Sequence, residues 1–140
     1  MTANLDRSAT IQRVSPDGLV VTGGAQVVVS RGSQLIFVNG QVSRDVSGAT
    51  VGVGDVLAQL TQSLRNLRAA LVAVGADGQD VVQYRVSVVN YDESLLAPLL
   101  KAFADEFDGS PIIAAGAIIG VSALGRADYL VEVEAIATLA

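Results

Sequence analysis

The 140-residue chain contains neither cysteine nor histidine, and it has no tryptophan. Without cysteine there can be no disulfide, no thiolate nucleophile and no thiolate-ligated metal. Without histidine, catalysis of the Ser-His-Asp or Cys-His type is excluded, together with the usual general base near neutral pH. Any acid–base chemistry must therefore depend on Asp, Glu, Tyr, Lys or a bound water. We expect neither a cofactor nor a metal ion.

Positive charge is sparse and dispersed, since eight arginines and one lysine stand against 14 acidic residues, for a net charge of −5. Phosphate backbones require clustered cations, so nucleic-acid binding is not expected. The N-terminus lacks the apolar segment of a signal peptide. The longest uncharged run, residues 109–125, is shorter than the roughly 20 residues of a membrane-spanning helix. We therefore expect a cytoplasmic protein with no membrane partner.

The length of the chain predicts one domain covering residues 1–140, and its hydrophobic periodicity predicts the element order β-β-β-α-β-α-β-β. A weakly patterned segment, residues 1–18, leads into short apolar runs divided by glycine-containing turns, which is typical of an antiparallel meander. The predicted elements are strands at 19–22, 26–30 and 34–38, a helix from 55 to 74, a strand at 81–89, a helix from 92 to 107, and strands at 112–121 and 129–137.

The first helix has the clearest pattern, an apolar stripe at spacings of three and four residues. Asp55 lies where a carboxylate stabilises the start of a helix, and Gly75 lies where a helix commonly ends. In the second helix, Pro98 is compatible with regular structure only near the N-terminus, so this helix should start near Ser94. The residues expected in the core are Leu57, Leu60, Leu64, Leu67, Leu71 and Val74 in the first helix, and Leu96, Leu99 or Leu100, Phe103 and Phe107 in the second.

Two carboxylates interrupt the otherwise apolar last strand. Because side chains alternate across a strand, Glu132 and Glu134 share one face and lie about 6.5 Å apart along it. A carboxylate among apolar residues is costly unless it is paired, solvated in a cleft or used in chemistry. The two glutamates are therefore candidate catalytic residues, and a solvated cleft or salt bridges between subunits are the alternatives.

The preceding strand has an unusually small face, formed by Ala114, Gly116, Gly120 and Ser122. Small side chains allow a ligand or another chain to approach the backbone closely. We therefore expect this face to be the floor of a pocket, a packing surface for a neighbouring subunit, or both.

Four stretches, in matching order and spacing over about residues 19–138, resemble motifs of the RidA/YjgF family of reactive-intermediate deaminases. They are Ile-Phe-Val-Asn-Gly-Gln at 36–41, the Gln-x-x-Gln-x-Leu-x-Asn-Leu pattern at 59–67, the Asp-Val-Val entry into a strand at 80–82, and Leu-Val-Glu-Val-Glu-Ala-Ile-Ala at 130–137. The resemblance implies an α+β, chorismate-mutase-like domain with a six-stranded mixed sheet, two helices on one face, and assembly as a homotrimer with small-molecule pockets between subunits. Active members hydrolyse enamine and imine intermediates to ketoacids and ammonia.

The resemblance also implies three functional positions: a glutamate that activates water, an arginine that binds the substrate carboxylate, and a tyrosine that lines the pocket. The glutamate matches Glu132, whereas the arginine and tyrosine positions fall on Gly116 and Gly24. Glycine cannot replace a bidentate guanidinium, so we expect ordinary 2-imino-acid deamination to be weak or absent. Arg44 or Arg126 could supply a cation from a loop. The other residues expected to bind ligand are Asn39, Gly40 and Gln41 at the pocket rim, together with Ile118 and Glu134.

These features favour a divergent enamine or imine hydrolase whose small-molecule substrate is uncharged or anchored differently. The alternative is a non-enzymatic metabolite-binding or accessory protein that retains the fold with a disabled site. A ribonuclease, the older description of the family, is disfavoured by the acidic composition and the lack of histidine.

Overall fold

The computed structural model of the chain describes residues 5–21 and 24–140. Within them, the order of strands and α-helices is β-β-β-α-β-α-β-β, as the sequence predicted, and the fold is α+β. The elements are β1 (Ile11–Val14), β2 (Val27–Ser30), β3 (Gln34–Val42), α1 (Val56–Ala73), β4 (Val81–Val89), α2 (Leu96–Glu106), β5 (Ala115–Val121) and β6 (Val131–Leu139).

The strands of the described residues form two sheets. β3, β6, β4 and β5 make a four-stranded sheet in that order, with β4 and β5 parallel and the other pairs antiparallel. β1 and β2 pair with each other, so the predictions of one six-stranded sheet and of a three-stranded meander are wrong. The turn after β2 gives a physical reason. It packs so closely on the end of β6 that a Cβ atom at Gly32 would overlap the Thr138 hydroxyl, and the chain then pairs β3 with β6.

The first strand lies inside the segment 1–18 that the sequence predicted to be weakly structured. Arg13 fastens it to the rest of the molecule, because its guanidinium donates to the Gln79 carbonyl at 2.7 Å and also to the Ile113 carbonyl. These contacts are far apart in sequence, and the local pattern gave no sign of them.

The strand predicted at residues 19–22 is not present over residues 19–21, whose side chains are exposed. Thr22 and Gly23 lie outside the described residues. The apolar run at 19–21 therefore indicated a strand where the fold provides no pairing partner for those three residues.

The first helix follows its predicted stripe closely. Asp55 caps it, since the carboxylate accepts hydrogen bonds from the backbone N–H groups of Leu57 and Ala58. Gly75 follows the end of the helix with a φ of 81°, a left-handed conformation that glycine adopts without strain. Val74 lies beyond the helix and is half exposed, so its predicted place in the core is wrong. The four fully buried stripe residues are Leu60, Leu64, Leu67 and Leu71.

The second helix starts at Leu96, after a 3₁₀ turn at Glu93–Leu95. Pro98 is therefore its third residue, where the missing N–H would have no partner within the helix. Leu99 and Phe107 are buried as predicted. Leu96 is 40% exposed and does not belong to the core.

The hydrophobic core lies between the two helices and one face of the four-stranded sheet. The opposite face, called the open face below, is not covered by these helices. Among the described residues, no helix is long and apolar enough to cross a membrane. The outward-pointing residues that define the open face are Leu35, Phe37, Arg85, Ala117, Ile119, Glu132 and Glu134.

Candidate functional site

The two glutamates of β6 share the open face, as the alternation predicted. Val131, Val133 and Ala135 alternate with them and are buried under the helices. Glu132 is half-buried and Glu134 is exposed. The pleat of β6 therefore presents two carboxylates side by side on the surface of the sheet that the helices leave uncovered.

Glu132 packs directly against the backbone of β3 at Gly40. A Cβ atom at residue 40 would overlap the Glu132 carboxylate oxygen and would lie 2.6 Å from its Cδ and 3.0 Å from its Cγ. The regular pairing of β3 with β6 is interrupted between Val38 and Gln41, which brings Gly40 against this side chain. Only glycine at this position leaves room for the carboxylate where it stands.

Glu134 is paired with a cation from the neighbouring strand. Arg85 of β4 lies opposite Glu134 in the ladder, and its Nη1 is 3.4 Å from the Glu134 Oε1. The Arg85 and Glu134 side chains remain 57% and 48% exposed, so each can still contact solvent or a ligand. The ladder between β4 and β5 places Ala117 opposite Arg85 on the same face.

A first cavity of about 690 Å³ lies on the open face over these residues. Its lining joins the end of β3 to β4, β5 and β6. Glu132 is not among the lining residues, but it packs against Gly40, which is one of them. The lining residues that matter for chemistry are Phe37, Asn39, Gly40, Arg85, Ala117 and Glu134.

A second cavity of about 600 Å³ contains the other residues predicted at the pocket rim. Asn39 and Gly40 belong to both cavities, whereas Gln41 and Arg44 line only the second. One wall is α1, where the Asn66 amide donates to the Val42 and Arg44 carbonyls at 3.1 and 3.0 Å. Arg44 therefore lies near the predicted rim but outside the cavity that contains Glu134.

The small face of β5 accommodates tyrosines of the same chain. A Cβ atom at Gly116 would overlap the Tyr84 ring, and one at Gly120 would lie 3.3 Å from the Tyr91 Cβ. A side chain at residue 116 would therefore point towards Tyr84 and the helices. Gly116 does border the first cavity through its backbone, but residue 117 is the neighbour whose side chain points to the open face.

Ile118 also points away from the open face. It is partly buried against the hydrophobic core, alternating with Ala117 and Ile119, which line the first cavity. Its position does not support the predicted role in ligand binding, which assumed that the small face of β5 lines the pocket.

Gly24 lines a third cavity, of about 720 Å³, on the helix side of the sheet. The wall of this cavity includes Leu100 and the rings of Tyr84 and Phe103, whose centroids are 5.3 Å apart and whose planes are tilted by 42°. Burial raises the pKa of the Tyr84 phenol above its usual range. Gly24 and Glu132 consequently belong to different sides of the sheet in one subunit.

Arg126 stabilises a loop and lines none of the three cavities. Its Nε is 3.7 Å from the Asp128 Oδ1, and its guanidinium lies 5.7 Å from the centroid of the Tyr129 ring. The Thr50 hydroxyl donates to Asp128 at 2.6 Å, and this hydrogen bond lowers the pKa of the Asp128 carboxyl. The prediction that Arg126 serves as a replacement cation therefore has no geometric support.

Sequence reasoning missed Arg85 as a site residue. Its signal was visible, because Gln83, Arg85 and Ser87 form the polar face of an otherwise apolar strand. That alternation shows which side chains point away from the core, but it does not show that Arg85 lies opposite Glu134 in the sheet.

Comparison with known proteins agrees with the motif pattern. The family model described as Endoribonuclease L-PSP matches residues 23–139. The chain is 33% identical over 102 residues to the mouse 2-iminobutanoate/2-iminopropanoate deaminase, covering 73% of this chain and 72% of that protein. It is 32% identical over 113 residues to protein DfrA of Myxococcus xanthus, covering 81% and 82%. A solved structure of YyfB from Yersinia pestis, a Rid-family protein of unknown function, superposes with a TM-score of 0.86 at 32% identity and covers 94% of this chain and all of its own.

Proposed function

Since the chain belongs to the RidA/YjgF family, we propose that it hydrolyses small enamine or imine intermediates in a pocket on the open face of its sheet. The observation that carries the proposal is the position of Glu132, which lies against Gly40 at the edge of the first cavity. A carboxylate held there, among residues that leave space for a ligand, can orient a water molecule.

The proposed reaction needs only water and proton transfer. The substrate reacts as its iminium form: Glu132 accepts a proton from water as the water oxygen bonds to the iminium carbon, which gives a neutral carbinolamine. Protonated Glu132 then gives this proton to the nitrogen. The carbon–nitrogen bond breaks as the hydroxyl proton passes back to Glu132, a carbonyl compound and ammonia leave, and Glu132 releases the proton to solvent. An enamine enters the same sequence after protonation at carbon. These steps use no histidine, metal or cofactor, which fits a chain that contains no histidine.

The mouse deaminase named above supports 2-imino acids as the class of substrate. Its name specifies 2-iminobutanoate and 2-iminopropanoate, which both carry a carboxylate. In this chain Gly116 offers no cation, so the substrate must be held by other groups than an arginine at that position. We therefore propose altered anchoring as the feature that distinguishes this protein's pocket.

Assembly as a homotrimer is part of the proposal. Leu35, Phe37 and Ile119 are 60%, 72% and 39% exposed on the open face. Apolar side chains exposed on both edge strands of one sheet face favour burial against another chain, and a symmetric oligomer is the simplest arrangement that achieves it. A neighbouring subunit would then close the first cavity around the substrate and its attacking water.

The test is ketoacid release from imines generated in place by an amino-acid oxidase. The sequence predicted weak or absent deamination because residue 116 carries no cation; since the proposed pocket anchors its substrate by other groups, we instead expect the wild-type protein to accelerate release. Glu132→Gln should lose about 100-fold or more, because general-base catalysis is typically worth that much. Glu93→Gln, on the exposed 3₁₀ turn before α2, is the matched control and should behave as wild type. Equal rates with wild type and Glu132→Gln would refute a catalytic role for Glu132.

The alternative is a non-enzymatic metabolite-binding or accessory protein. It is favoured by the lining of the first cavity, which contains Arg85 but not the Glu132 carboxylate. Under this alternative, the protein binds ketoacids but leaves the rate of imine hydrolysis unchanged.

A further inference from the structure

The first cavity contains one acid–base pair of opposite charge at its floor. Arg85 comes from β4 and Glu134 from β6, and the ladder places them directly opposite each other. On the other side of Arg85 the ladder places Ala117, whose single methyl group leaves space above the guanidinium. The pair is therefore accessible from the cavity, consistent with its half-exposed side chains.

We infer that Arg85 and Glu134 together anchor a dipolar substrate, with Arg85 binding its carboxylate and Glu134 accepting from its iminium or ammonium group. This deepens the proposed function and rests on it. A 2-iminium acid carries the two charges on adjacent carbons, which matches a cation and an anion that are themselves within contact distance. Arg85 and Glu134 would thus bind the carboxylate and the iminium nitrogen, the two groups that distinguish such a substrate from a simple ketone.

The existing contact does not prevent this role. It joins one guanidinium nitrogen to one carboxylate oxygen at 3.4 Å, whereas a guanidinium has five N–H donors in a planar fork. Exposed ion pairs of this kind contribute little to stability. A substrate can therefore insert its carboxylate onto the remaining donors of Arg85 while Glu134 turns to its nitrogen.

The other arginines considered above do not compete for this place. Arg44 lines the second cavity, and Arg126 is held by Asp128 and the Tyr129 ring. Among the described lining residues of the first cavity, Arg85 is the cationic one. Because it lies on β4 and not on the penultimate strand, it offers an anchor that does not depend on residue 116.

The experiment compares ligands that differ by one charge, measured by NMR titration of the full chain. 2-Ketobutanoate carries the carboxylate, 2-ketobutanamide lacks it, and 2-aminobutanoate adds an ammonium group. We expect Arg85→Gln to weaken 2-ketobutanoate binding about tenfold, since charge-assisted hydrogen bonds are lost, and to leave the amide unchanged. Glu134→Gln should weaken 2-aminobutanoate relative to 2-ketobutanoate.

Arg65→Gln is the matched control, because Arg65 is similarly exposed and has a similar ion pair, 3.7 Å from Glu106, on the helix side. It should bind all three ligands as wild type does. The inference is overturned if Arg85→Gln binds 2-ketobutanoate like wild type, if the amide is weakened equally, or if the wild-type protein does not prefer the carboxylate over the amide.

The same variants separate this inference from the proposed function. If Arg85→Gln loses carboxylate binding, but neither the wild type nor any variant accelerates imine hydrolysis, the anchoring role of Arg85 is supported and the proposed hydrolase activity is refuted. If the wild type is catalytic and Arg85→Gln has the same KM for 2-imino acids as the wild type, the hydrolase activity is supported and the anchoring role of Arg85 is refuted. An anchoring role requires KM to rise about tenfold, with a smaller change in kcat.

Discussion

Gly40→Ala is expected to displace the Glu132 carboxylate without unfolding the protein. The added methyl would overlap the carboxylate oxygen and approach the Cδ to 2.6 Å, both closer than ordinary van der Waals contact. These atoms are the far end of a flexible side chain, so the carboxylate can rotate away at small cost. A shift of about 1 Å at a catalytic group can cost on the order of 100-fold in rate.

The expected result is therefore a large loss of activity with a small loss of stability. Ketoacid release should fall about 100-fold in Gly40→Ala, while the free energy of unfolding in urea changes by less than about 1 kcal/mol, below the range for overpacking a rigid core. Gly125→Ala is the matched control, because a Cβ atom there meets no other atom within 4 Å and the residue does not need a left-handed φ.

A double-mutant comparison of Gly40→Ala with Glu132→Ala tests whether Gly40 acts through the position of Glu132. If Gly40 acts by positioning Glu132, the substitution Gly40→Ala should have no further effect on rate in a Glu132→Ala background. Independent, multiplying losses in the double variant would show that Gly40 serves the site in another way. An unchanged rate in Gly40→Ala alone would show that the position of Glu132 does not matter for the reaction.

Three further results are expected. Ala117→Arg should fold normally, because its side chain points to the open face. Gly116→Arg should lose about 1–3 kcal/mol in urea unfolding, because its side chain overlaps the Tyr84 ring. The reverse order of stability would contradict the assignment of faces. Light scattering should give a trimer at micromolar concentration, with dissociation in Phe37→Glu but not in the helix-surface control Val72→Glu, and a wild-type monomer would refute the assembly. Burial raises the pKa of Tyr84, so Tyr84 ionises at lower pH in the unfolded chain than in the folded one, and stability should fall as the pH rises above about 10. Over this pH range Tyr84→Phe should lose less stability than wild type or Tyr91→Phe, and equal losses would show that Tyr84 is not the cause.

The parts of the fold with strong local patterns were predicted well. The stripe from Leu60 to Leu71 and the cap at Asp55 fixed α1 because both depend on residues within a few turns of each other. The bounds predicted for β4 coincide with Val81–Val89 for the same reason. What failed was pairing: which strand lies beside β3, and that β1 exists at all, depend on contacts such as those of Arg13 with distant carbonyls.

The candidate site shows the same division. Alternation placed Glu132 and Glu134 on one face correctly, but alternation does not say which face of β5 meets the helices. That was decided by the parallel register of β4 with β5, which sets Tyr84 over Gly116 and turns Ala117 to the open face. The partnership of Arg85 with Glu134 depends on a second register, between β4 and β6, and could not be read from either strand alone.

The most direct test of the account is a crystal structure of the protein with 2-ketobutanoate bound. We expect the ketoacid on the open face, with its carboxylate on Arg85 and its carbonyl carbon turned towards Glu132 across Gly40. A ketoacid bound instead in the helix-side cavity beside Leu100 and Phe103, with the open face empty, would contradict the central claim.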